Sequence, residues 1–210
     1  VRVDFSYGDR INSRMTLSPF TAEAAAVLGG PAWLVARRLA AAEAVATRPL
    51  PTTDEEVWRY SRIGALDLAT FAPPTAPAGS GALPAADACP VPGAAAHLVV
   101  TDGVLTAASI DPAASAAGVH AGRLVDAPGA EALLGAAMAE PTDVFSHLNE
   151  AFAAEPLAVV VPSGVAVDGP IVVEHRIAVR GVALFPRLVV HAADGAAVRV
   201  VELFRSGPDA

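Results

Sequence analysis

The sequence predicts a mixed α and β chain, with a helical N-terminal region followed by a region of short strands. Three observations carry this prediction. Residues 22–47 are alanine-rich and show apolar positions at helical spacing. Residues 72–93 are crowded with Pro, Ala and Gly, as in a linker or extended surface segment. Beyond residue 94, apolar runs of only a few residues alternate with short Gly- and Pro-containing turns. Strands this short, joined by two- or three-residue turns, fit either a set of hairpins or a parallel β-helix whose turns are corners. No hexapeptide repeat chooses between them.

Residues 1–14 are polar and without periodicity, and Met15 opens a stretch that reads like an ordinary protein start. The first fourteen residues are therefore expected to be a disordered extension. Ser18-Pro19 is a helix-entry signal, a capping hydroxyl ahead of a proline suited to a first helical position. The helix it opens runs through residues 22–27 and stops at Gly29-Gly30. Pro31 starts a second helix, whose apolar face is read as Val35, Leu39, Ala42 and Ala46 and whose end comes before Pro49 and Pro51. Thr53 and Glu56 form a capping-box pair, which predicts a short helix carrying Trp58.

After the linker, residues 97–100 and 104–106 flank Asp102-Gly103, a hairpin signal. Residues 130–139 are read as helical. Thr142 or Asp143 caps another helix with Phe145, Leu148 and Phe152 on one face. Strands are expected at 157–161, 165–167, 171–174, 187–191 and 197–203. The domain reading is thus an extension over 1–14, a helical region over 15–71, a linker over 72–93, a connecting α/β region over 94–155 and a strand-built region over 156–210.

Composition narrows the function classes. The chain has 210 residues and is 53% hydrophobic, enough for a core, but only 5% aromatic, so that core is built from small and aliphatic side chains. A net charge of −8 leaves no basic stripe for nucleic acid. The apolar runs are too short, or too broken by Pro and Gly, to cross a bilayer, and no secretory h-region opens the chain. A single cysteine, Cys89, permits no intrachain disulfide and no four-cysteine site, and points to a cytoplasmic setting.

Two separated segments bear a family resemblance. Glu56-Val57-Trp58-Arg59-Tyr60-Ser61 resembles the E-x-W-R-Y-[ST] segment of the SufB/SufD family, on its SufD side. The stretch from Asp143 to Phe152 is similar to that family's F-x-x-L-N-x-A-F helix. Val160-Val161-Pro162-Ser163-Gly164-Val165, Gly169-Pro170-Ile171, Pro186-Arg187-Leu188-Val189-Val190 and Val200-Val201-Glu202 resemble the coils that follow it. The order is collinear from about Phe20 to Glu202. Glu155-Pro156 departs locally from an acidic-Gly turn.

The resemblance implies the first coils of a right-handed parallel β-helix after the helical region, cut off at Ala210. It implies a non-catalytic scaffold in iron–sulfur cluster assembly by the SUF system, with SufB and the ATPase SufC as partners. The cluster is assembled on the intact complex, and this segment binds no cofactor. The later coils and the segment that meets SufC lie outside the chain, so binding of SufC by the chain alone is not expected. The open end of the β-helix is expected to self-associate.

No catalytic, cofactor-binding or metal-binding residue is assigned. Cys89 has no neighbouring His or acidic cluster in sequence and reads as an incidental thiol. His175, His191, Asp194 and Glu202 lie on or beside predicted strands, but no two have an established ligand spacing. Trp58, Arg59 and Tyr60 suit a partner patch, although a packed Trp58 covered by Arg59 is the simpler reading. No phosphate-binding loop, nucleophile elbow, H-E-x-x-H or dinucleotide motif occurs. The alternative function is a β-helix enzyme acting on carbohydrate, drawing its carboxylates from Asp168, Glu174, Asp194 and Glu202.

Overall fold

The computed structural model describes residues 19–76, 83–136 and 141–207. The predicted extension over 1–14 and the Ser18 cap lie outside these. Thr21 caps the first helix instead: its side chain accepts from the amide of Ala24, and α1 spans Ala22–Val27. Helix α2 spans Ala32–Thr47.

Its buried stripe is Leu34, Arg38, Ala41 and Ala42, displaced from the predicted one. The displacement has a physical cause, because the stripe contains an arginine. Arg38 is almost fully buried and donates to the carbonyl of Gly29, just beyond α1, and to those of Ala153 (2.7 Å) and Ala154 (2.9 Å). A cation collecting the carbonyls left over at two helix ends is well matched to their negative dipole ends.

The predicted capping pair is also shifted by one residue. Glu55 accepts from the amide of Thr52 and the Thr52 hydroxyl accepts from Asp54, ahead of a single 3₁₀ turn at Glu56–Trp58. Trp58 rests on the ring of Phe145, with centroids 5.4 Å apart.

The hairpin is present as β1 (Ala96–Thr101) and β2 (Val104–Ile110). Asp102 and Gly103 both take positive φ (50° and 84°), as the tight turn requires. Helix α3 (Pro112–Ala116), β3 (His120–Arg123) and α4 (Ala130–Leu133) follow. Residues 137–139 of the predicted helix lie outside the described residues. Helix α5 (Val144–Phe152) is capped by Asp143, which accepts from Ser146 at 2.7 Å, and buries Leu148 and Phe152 as predicted. The remaining strands are β4 (Leu157–Val161), β5 (Ala166–Ile177), β6 (Leu188–Ala192) and β7 (Ala197–Ser206).

These strands do not form the expected parallel β-helix. They make two separate mixed sheets, ordered β2-β1-β5-β7 and β3-β4-β6. Each sheet holds one antiparallel pair, β1 with β2 and β3 with β4, beside its parallel pairs. The expectation failed at Asp168-Gly169-Pro170. The sequence predicts a turn here between strands at 165–167 and 171–174, but β5 runs straight through it, with a register shift against β7 between Ala166 and Pro170. Gly169 sits at φ 102°, and a Cβ there would overlap the carbonyl oxygen of Gly93. What was expected as the open end of a β-helix is instead a pair of outer strands, β6 and β7.

The two sheets face each other across shared clusters. Ala96 and Ile171 meet Val159 and Val161, while Leu98, Val100 and Val173 meet Leu157. A distinct core joins α1, α2 and α5 through Phe20, Leu28, Ala42, Leu148 and Phe152. No helix among the described residues is long and apolar enough to cross a membrane.

Candidate functional site

The densest group of ionisable side chains gathers on β5, where Glu174 and His175 are sequence neighbours. Strand alternation sends them to opposite faces of the four-stranded sheet. Parallel pairing of β1 with β5 sets His97 beside Val172, so that His97 and Glu174 share the outer face. The His97 Nε2 lies 3.0 Å from Glu174 Oε2, with both side chains buried. Arg176 forks onto the same carboxylate, through Nε at 3.2 Å and Nη2 at 3.1 Å. Arg205, which the register places beside Arg176, adds a contact at 3.3 Å. Hydrogen bonds from Arg176, with help from His97 and the charge of Arg205, hold the Glu174 carboxyl below its ordinary range against the opposing effect of burial. The second ring nitrogen of His97 faces the carbonyl of Asp87 at 3.4 Å. The Pro-rich segment is thereby laid on the sheet, and the amide of Ala108 reaches the carbonyl of Pro84 beside it.

On the inner face, His175 Nε2 lies 3.1 Å from Glu202 Oε1. Its ring stacks on Phe204, with centroids 4.5 Å apart and planes within 9°. Together they border a cavity of about 220 Å³ walled by Val100, Gly103, Leu184 and Pro186. An imidazole held by a carboxylate has the form of a general base. Among the described residues no hydroxyl or thiol lines the cavity to serve as its nucleophile.

Of the four residues weighed as a converging group, only His175 and Glu202 meet. His191 is exposed on β6, and Asp194 uses its main-chain carbonyl to accept from Gly164 (2.9 Å) and the Ser163 hydroxyl (2.8 Å). Among the described residues no three His, Cys, Asp or Glu side chains are placed to hold a metal ion. Cys89 is half-buried on the Pro-rich segment. Asp168 is exposed on β5. Of the carboxylates considered for glycoside chemistry, Glu174 and Glu202 occupy opposite sheet faces, each bonded to a histidine. Sequence reasoning passed over His97, Arg176 and Arg205 because β1 and β5 pair across more than seventy residues, and no local pattern announces that register.

The segment at residues 56–61 divides in two. Trp58 is half-buried against Phe145, whereas Val57 and Tyr60 are 87% and 94% exposed. Four residues beyond Phe145, Asn149 donates from Nδ2 to the carbonyl of Pro186 at 2.9 Å. No family model matches the chain, and no curated protein matches it.

Proposed function

We propose that this chain is a scaffold of the SufB/SufD type, serving iron–sulfur cluster assembly in the cytoplasm without catalytic residues of its own. One observation carries the reading. The segments on which the resemblance rests are joined in space, with Trp58 on Phe145 and Asn149 on the carbonyl of Pro186. Residues on which the resemblance rests, drawn from three stretches of sequence, then belong to one packing unit. Their side chains are occupied in holding the helical region to the start of β6, the work of a scaffold rather than of an active site. The partners, SufB and SufC, are those of the intact protein, and the cluster belongs to the assembled complex rather than to this chain. Tyr60 and Val57 remain free to contribute contacts there.

Against the carbohydrate-active alternative, Glu174 and Glu202 lie on opposite faces of the sheet rather than across one cleft. The reading is tested by tagging the gene at its own locus and identifying what co-purifies. An ABC-type ATPase together with a SufB-like protein is expected. Their absence, or retention of the protein on glycan resins, would count against the proposal.

A further inference from the structure

Helix α5 contains a histidine whose ring is left without a bond among the described residues. His147 is 8% exposed, and neither Nδ1 nor Nε2 has a hydrogen-bond partner there. A neutral imidazole left so is costly, and an imidazolium, with two donors and a charge, is costlier still.

The charged groups around it offer little relief. Arg48, at the C-terminal cap of α2, carries the same sign. Asp143 is committed to the amide and hydroxyl of Ser146. Glu150 is committed to Arg37 of α2 (2.6 Å) and to Arg187 ahead of β6 (3.2 Å). Burial first, then Arg48, hold the imidazole below its ordinary value of 6.5, against a weaker opposite pull from Glu150 and Asp143.

The interface at stake has its own core. α1, α2 and α5 share one apolar cluster, against which Val104 of β2 and Phe185 also pack, while the two clusters between the sheets include no residue of α1 or α2. Among the described residues a smaller cluster, Leu34 with Leu124 and Ala158, ties α2 to the three-stranded sheet. The helical layer can therefore open while the sheets keep their packing.

We propose that the α2–α5 interface is an acid-released latch, in which protonation of His147 undocks α1 and α2 from α5 while the seven strands stay folded. Arg37 and Arg38, bonded to Glu150 and to the carbonyls after α5, keep the latch closed at neutral pH. The sign follows from linkage. The docked state binds the proton less readily than the open state, so the contribution of His147 is fully present above about 6.5 and is lost as pH falls below it. Opening would uncover Leu148, Ala151 and Phe152, an apolar face suited to a partner helix.

Hydrogen exchange of the whole chain at about pH 7.5 and about pH 5, corrected for intrinsic rates, spans the range in which an imidazole titrates. Protection of α2 amides should fall on acidification while β1 and β5 hold theirs, the direction linkage requires. His147→Leu should abolish that loss. Simultaneous loss in α2 and β1, or a His147→Leu variant that follows the parent, overturns the latch. Should that variant fail to fold, Arg48→Gln decides: a smaller acid-induced loss in α2 is expected, and an unchanged one overturns the proposal.

Discussion

Arg38 illustrates how a single side chain can set the path of two helices. It sits in the middle of an apolar stripe with no carboxylate partner among the described residues, and burial pulls its guanidinium pKa down to about 10, still a cation at neutral pH. Replacing it with Met would keep the volume but strand the buried carbonyls of Ala153 and Ala154 and the half-buried one of Gly29. Arg38→Met is expected to cost about 3 kcal/mol in chemical denaturation, the scale for stripping partners from a buried charged network. Trp58 should matter less than its size suggests, since the indole is half-buried on one face of Phe145. Trp58→Ala is expected to cost about 1–2 kcal/mol, below the range for a fully buried aromatic, and thermal melts would measure it. Glu174 contributes through ionisation. Its carboxyl is held below the ordinary 4.5, so its stabilisation is present above that value and fades as pH falls through the lower, folded one. Glu174→Gln should be less stable at neutral pH and should lose less on acidification below 4.5; an acid denaturation profile parallel to the parent's would refute this.

At the level of elements, local chemistry was readable and long-range register was not. The break at Gly29-Gly30, the Asp143 cap and the Asp102-Gly103 turn each rest on a few adjacent residues with fixed conformational demands, and each is found where those residues stand. The buried face of α2 was misread because an arginine in a core stripe looks like a solvent position until the carbonyls it serves are known. Asp168-Gly169-Pro170 was misread for a related reason. Gly and Pro mark a turn in most contexts, but here glycine is needed because the backbone of Gly93 presses against β5. Gly169→Ala should therefore destabilise the protein strongly, by about 3 kcal/mol or more, since both the positive φ and the overlap oppose a side chain. A urea midpoint unchanged from the parent would show that β5 and residue 93 can separate freely. The His–Glu pairs on β5 were partly legible: His175 and Glu202 were singled out, but the pairing of His97 with Glu174 depends on a parallel ladder with no local signature.

The described residues form two sheets with a helical layer fastened by α5, and the segments that carry the proposed resemblance lie where those parts join. Phe145 and Asn149 on α5 reach the Trp58 turn on one side and Pro186, just before β6, on the other. That arrangement is why a scaffold reading is preferred to a catalytic one, and it makes association the decisive property. The most direct measurement is affinity purification of the protein tagged at its native locus, with its companions identified by mass spectrometry and the same purification repeated for Tyr60→Ala. Recovery of a SufB-like protein and an ABC-type ATPase, reduced in the exposed-residue variant, is the predicted result. Recovery of the protein without either partner would contradict the account.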